Sequence, residues 1–178
     1  MARAYIGLGS NLGDGRQNLL EAWRRLGEQA GIVLLALSSP YLTRPVAKLE
    51  WLAAGRVVGD GFFTNGVGLL ESRLSPEELL AVMQKIELGM GRDRAHSVDR
   101  SIDLDLLYYD DLVLSGKELS LPHPELQRRR FVLAPLAELA PDFRHPLLGL
   151  TSRQMLECLA IADTDEVKQL DWPVANMI

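Results

Sequence analysis

The chain reads as an α+β fold of the ferredoxin-like kind, in which helices cover one mostly antiparallel sheet. Segments with strand and helix character follow one another as strand, helix, strand, strand, helix, strand, with helices at the end. The 178 residues are 47% apolar, enough for one core, and no stretch is long and polar enough to separate two. Residues 1–178 are therefore expected to form a single domain, with a core over 1–162 and a loosely held tail over 163–178. The last strand of the series alternates acidic with aliphatic side chains, as a strand with one buried face does.

Taken in order, Arg3 to Leu8 predicts a first strand, and the glycines of Gly7-Leu8-Gly9-Ser10-Asn11-Leu12-Gly13-Asp14 turn the chain out of it. Asp14 caps a helix with Gln17 three positions on, and Leu19, Ala22, Trp23 and Leu26 give it one apolar face until Gly31. Ile32 to Ser39 predicts a second strand, closed by Tyr41-Leu42-Thr43-Arg44-Pro45, where the proline favours extended or turning backbone. Between Pro45 and Gly61 a glycine-containing loop holds Leu49, Trp51 and Leu52, which are costly to leave in water, so it is a candidate lid. Phe62 to Leu70 reads as a strand with Phe63 and Asn65 on one face, an aromatic beside an amide that suits ligand reading. Ser75-Pro76-Glu77-Glu78 starts a helix that runs to about Met90 and buries Leu79, Met83, Ile86 and Met90. Gly89 and Gly91 unwind it before Arg92 and Arg94, which are thereby placed in a loop. Beyond the acidic strand lie a turn at Asp110-Asp111, a short ribbon over Leu112 to Leu121, Pro122-His123-Pro124, and helices over Phe131–Leu139 and Ser152–Ile161.

The acidic strand is Arg100-Ser101-Ile102-Asp103-Leu104-Asp105-Leu106-Leu107-Tyr108-Tyr109. Asp103 and Asp105 project together, roughly 7 Å apart, while Ile102, Leu104 and Leu106 project into the core. Two half-buried anions side by side demand a proton or a cation between them. Mg²⁺ suits the pair, since it takes one or two carboxylates and completes its shell with water and substrate phosphates. The flanks are basic in a chain whose net charge is -5: Arg92, Arg94 and Arg100 before the acids, His123, Arg128, Arg129 and Arg130 after. Guanidinium groups grip phosphate oxygens in pairs, so a polyphosphate is the expected ligand. The alternative is a solvated acidic strand with solvated arginines around it.

Other classes are excluded. Gly7-x-Gly9-x-x-Leu12 lacks the third glycine of a dinucleotide-binding turn, and no Gly-x-x-x-x-Gly-Lys-Ser/Thr is present. The acidic balance argues against nucleic-acid binding. No apolar run is long enough for a membrane span, so a cytoplasmic location is expected. Cys158 is the only cysteine, which rules out an internal disulfide, and it is expected in the core.

Five motifs in this order and spacing resemble the 6-hydroxymethyl-7,8-dihydropterin pyrophosphokinases of folate biosynthesis: Tyr5-Ile6-x-Leu8-Gly9-Ser10-Asn11-Leu12-Gly13, Tyr41-x-Thr43-x-Pro45, Ile86-Glu87-x-x-x-Gly91-Arg92, Asp103-Leu104-Asp105-Leu106-Leu107-Tyr108 and Leu121-Pro122-His123-Pro124. The resemblance covers Tyr5 to about Leu139. It implies three layers, α-β-α, and ATP-dependent transfer of pyrophosphate to the hydroxymethyl group of the pterin, with release of AMP. It implies that Asp103 and Asp105 hold two Mg²⁺ ions with ATP, and that Arg92, Arg94, Arg100, His123 and Arg129 answer the phosphates. By the same resemblance Asn65 reads the pterin edge, Phe63 and Phe131 sandwich its ring, Thr43 and Val46 line the pocket, and Gln84 and Glu87 lie on the nucleotide and metal side. The partners implied are these two small molecules, with no nucleic acid or membrane and with a monomer expected. Two loops depart from the family. His96-Ser97-Val98-Asp99 stands where a tryptophan and a Gly-Pro pair are usual, and the Trp51 loop is longer, so Trp51, or Leu49 and Leu52 beside it, is expected to supply the apolar seal. A sensor on the same fold that binds nucleotide or pterin without turnover is the rival reading.

Overall fold

A computed structural model describes residues 1–43, 62–91, 101–159 and 167–173. Its centre is a pair of long antiparallel strands, β1 (Ala2–Ser10) and β4 (Phe63–Ser72), in register from Ala2↔Ser72 to Ser10↔Thr64. β5 (Asp103–Tyr109) pairs with the other side of β1, and β2 (Ile32–Leu37) and β3 (Tyr41–Thr43) share the other side of β4. Every pairing in this sheet is antiparallel. The expected second strand is thus two strands, with Pro40 in the step between them; proline has no N–H for a ladder.

Helix α1 (Gly15–Gly27) begins where Asp14 accepts the backbone N–H groups of Arg16 and Gln17. Helix α2 (Pro76–Gly89) begins with a reciprocal cap between Ser75 and Glu78. Both cover one face of the sheet, where Leu19, Ala22, Leu26, Leu79, Met83 and Ile86 join Ala4, Ile6, Leu8, Leu70, Ile102, Leu104 and Leu106 in the larger core. The opposite face carries Tyr5, Val67, Leu107 and Tyr108 against Val132, Leu133 and Leu136 of α3 (Arg130–Leu139) and Met155 of α4 (Ser152–Cys158). The layers are therefore α-β-α, as the resemblance implies. A register shift in β5 opposite Tyr5 and Ile6 puts Leu107 and Tyr108 in the same core, after strict alternation from Ile102 to Leu106. A short ribbon, β6 (Leu114–Ser115) with β7 (Ser120–Leu121), leads to a single 3₁₀ turn at Leu126–Arg128. No helix among the described residues is long and apolar enough to cross a membrane.

Three expectations need correction. β1 does not turn at Gly7 but continues through Gly9 to Ser10, because a glycine in a strand also serves where a neighbour approaches closely. Cys158 is exposed: it is the last residue of a seven-residue helix whose packing is carried by Met155, Leu156 and Leu159. Residues 167–173, expected in a loose tail, include a strand, β8 (Val167–Gln169), that pairs with β3, and Trp172 packs against the larger core.

Candidate active site

On the face that α3 and α4 cover, the ends of β1, β3, β4 and β5 are left for a site. Alternation along β5 sends Ile102, Leu104 and Leu106 into the core, each under 5% exposed, and leaves Asp103 and Asp105 half-buried on the other face. Across the sheet, register pairs Gly9 with both Asn65 and Asp103, and Gly7 with Asp105. A Cβ on Gly9 would sit 3.1 Å from Asn65 Oδ1, and one on Gly7 would sit 3.7 Å from the Asp105 Cβ. Gly9 is thus a floor without a side chain between the amide on β4 and the acids on β5, while Gly7 is buried under the Leu107 side chain, 3.4 Å from where its Cβ would be. The period-two spacing of the two glycines inside a strand pattern was the signal for this, and turn chemistry masked it.

Asn65 and Thr43 are each 6% exposed, and Asn65 Nδ2 donates to Thr43 Oγ1 at 2.9 Å. That bond fixes the amide of a buried side chain, so its other edge is presented in one orientation. Phe63, two residues before Asn65, shares its face of β4.

His123 comes to the acids from the segment after β7. Its backbone N–H donates to the Leu107 carbonyl at 2.9 Å, and its Nδ1 accepts the Glu125 N–H at 3.2 Å. The proton of the neutral ring therefore resides on Nε2, which lies 4.0 Å from Asp105 Oδ1. Burial holds His123 below the usual 6.5, against the opposing pull of Asp105, with Arg129 adding to the lowering. In its neutral form the imidazole presents the Nε2 N–H as a donor. Arg129 stands just before α3 with its guanidinium over the Phe131 ring, 5.9 Å from its centre.

The structure so brings together Thr43, Phe63 and Asn65 on one side of the glycine floor, Asp103, Asp105 and His123 on the other, and places Arg129 and Phe131 at the start of α3. Gln84 is exposed on α2, whose buried stripe belongs to the opposite layer. Glu87, 1% exposed, turns inward, and its Oε1 accepts the Leu104 N–H at 2.8 Å on the side of β5 away from β1. Arg92, Arg94, Arg100, Val46, Trp51, Leu49 and Leu52 lie outside the described residues. Among the described residues no three His, Cys, Asp or Glu side chains cluster as a metal cage. Two half-exposed carboxylates on one strand face fit Mg²⁺ all the same, because that ion keeps waters and phosphate oxygens in most of its shell.

An antiparallel α+β sheet that brings together a diacid strand, a fixed amide and a histidine has the parts that an enzyme transferring a phosphate-containing group needs. Residues 5–141 match the family model for 7,8-dihydro-6-hydroxymethylpterin-pyrophosphokinase. The chain belongs to that family. A 2-amino-4-hydroxy-6-hydroxymethyldihydropteridine pyrophosphokinase of Synechocystis is 39% identical over 97% of this chain and 80% of its own. The Pseudomonas aeruginosa protein of the same name is 36% identical over 94% of this chain and 96% of its own. Among solved structures, an HPPK-DHPS in complex with substrates superposes with a TM-score of 0.70 at 14% identity, over 94% of this chain. The chain spans 46% of that structure's length, and 43% of a Plasmodium falciparum HPPK-DHPS with a TM-score of 0.67.

Proposed function

We propose that the chain transfers the pyrophosphoryl group of ATP to the hydroxymethyl oxygen of 6-hydroxymethyl-7,8-dihydropterin in folate biosynthesis, through the residues described above. The observation that carries this reading is the glycine floor, with a fixed amide on one side and a paired carboxylate on the other. Asn65, held by Thr43, hydrogen-bonds the edge of the pterin, and Phe63 and Phe131 stack on its ring with Val46 beside them. Asp103 and Asp105 would hold two Mg²⁺ ions together with ATP, and the bound ions would supply neutralisation of phosphate charge.

The pterin oxygen bonds to the β-phosphorus, the bond from that phosphorus to the α,β-bridging oxygen breaks, AMP departs, and the hydroxyl proton passes to solvent. No protein nucleophile is needed: holding two substrates in line and covering the developing charge suffices. His123 donates a hydrogen bond from its Nε2 N–H to a phosphate oxygen beside Asp105, and Arg92, Arg94, Arg100 and Arg129 cover the rest of the charge. Gln84 belongs to the nucleotide side only at the rim, given its exposure on α2. Both substrates are small soluble molecules, which suits a monomer working in the cytoplasm.

The product decides the matter. Protein incubated with ATP, Mg²⁺ and the pterin alcohol is expected to yield AMP and the pterin diphosphate in equal amounts. Formation of ADP, or nucleotide binding with no AMP after long incubation, contradicts the proposal, and the second result favours a sensor.

A further inference from the structure

We infer that the C-terminal strand β8 positions the pterin half of the site, resting on the reading of Thr43 and Asn65 just given, by holding β3 at the place where Thr43 can bond Asn65. β3 is three residues long, and its ladder to β4 runs only from Tyr41↔Asn65 to Thr43↔Phe63. So short a strand with one neighbour is marginal. β8 gives it a second ladder, Tyr41↔Gln169, Leu42↔Lys168 and Thr43↔Val167.

The contact continues past the ladder in both segments. The Leu170 N–H donates to the Pro40 carbonyl at 2.8 Å, Gln169 Nε2 to Ser39 Oγ at 2.9 Å, and Trp172 Nε1 to the Ser38 carbonyl at 3.1 Å. Each residue from Ser38 to Thr43 is therefore held by a residue between Val167 and Trp172. Arg16 of α1 ties this segment down in turn by donating to the Asp171 carbonyl at 3.2 Å. From the other side Glu138 of α3 accepts the Ser39 N–H, the Ser39 hydroxyl and the Tyr41 hydroxyl. The chain that ends at Thr43 is thus gripped on both flanks.

The grip matters for function because the bond from Asn65 to Thr43 is a contact between two strands, at 2.9 Å. Movement of β3 by a fraction of an ångström would break it and let the amide rotate, losing the orientation that discriminates a pterin edge. The bonding segment lies beyond residues 5–141, the part matched by the family model.

The test uses the full-length chain. Lys168→Pro removes a backbone donor in the middle of β8, whereas Lys168→Ala alters only an exposed side chain. Trp172→Phe keeps an aromatic ring and loses the bond to Ser38. Steady-state KM for the pterin alcohol and for ATP is measured where circular dichroism shows each variant folded, with Asn65→Ala as a marker for the pocket.

Lys168→Pro is expected to raise the pterin KM about tenfold and to leave the ATP KM within about twofold, with Lys168→Ala like the wild type and a smaller rise in the same direction for Trp172→Phe. If Lys168→Pro does not fold, Trp172→Phe combined with Gln169→Ala serves in its place with the same expectation. An unchanged pterin KM, or equal rises in both constants, overturns the inference. Should Asn65→Ala raise the pterin KM while the β8 variants do not, only the role of β8 fails; should Asn65→Ala have no effect, the pocket itself is misassigned.

Discussion

Glu87 has a carboxylate that is 1% exposed and is turned toward the Leu104 N–H, between the two aspartates in sequence. An acid so buried is stable only if its oxygens are satisfied, and this one covers a donor that the edge strand β5 would otherwise leave bare. Glu87→Ala is therefore expected to destabilise the fold by about 1–3 kcal/mol, through the orphaned N–H, whereas Gln84→Ala, on the exposed side of α2, should stay within about 0.5 kcal/mol of wild type. Chemical denaturation of both variants checks this, and equal stabilities would show that the bond to Leu104 carries no weight. The family resemblance alone implies a nucleotide and metal side for both residues, since helix spacing does not tell which partner a face meets. Asp103 and Asp105 were legible for the opposite reason. Period two in a strand decides their direction locally, and apolar neighbours at the alternate positions decide which way is inward.

At the scale of elements, β4 meets α1 at glycines. A Cβ on Gly68 would lie 2.2 Å from the Trp23 ring, so the indole rests directly on the strand backbone. Gly68→Ala is expected to push α1 off the sheet and to cost about 1–3 kcal/mol, as overpacking does, with α1 and β4 still formed. A lowered melting temperature with unchanged far-ultraviolet dichroism would agree, and an unaltered melting temperature would mean that the indole has room to move. The helices α1 and α2 were readable from caps and from apolar spacing, both of which are local. The division of Ile32–Thr43 into β2 and β3 was not, since it follows from where Ser38 and Pro40 meet β4 and the C-terminal segment. Nor was β8: Val167-Lys168-Gln169 has no alternation long enough to declare a strand, and β3 supplies its partner from more than a hundred residues away.

Over the whole molecule, the two faces of the sheet divide the work. The face under α1 and α2 is core throughout, from Ala4 to Ile86, while the other is core beneath α3 and α4 and carries no side chain at Gly9, between Asn65 and Asp103. Order of elements sufficed to read an α+β fold with helices on a mostly antiparallel sheet, whereas the covering of both faces came from the family resemblance. The expected lid with Trp51 and the arginines at 92, 94 and 100 fall outside the described residues. Everything proposed for the chemistry rests on the paired acids working with the nucleotide phosphates. The direct measurement is the rate of AMP formation by Asp103→Asn and Asp105→Asn, each of which keeps the side-chain shape and removes one charge. The rate should drop at least about 100-fold in either variant, since several kcal/mol of charge stabilisation depend on these carboxylates, while the melting temperature stays near that of the wild type. Wild-type rates with an unchanged Mg²⁺ requirement in both variants would contradict the account.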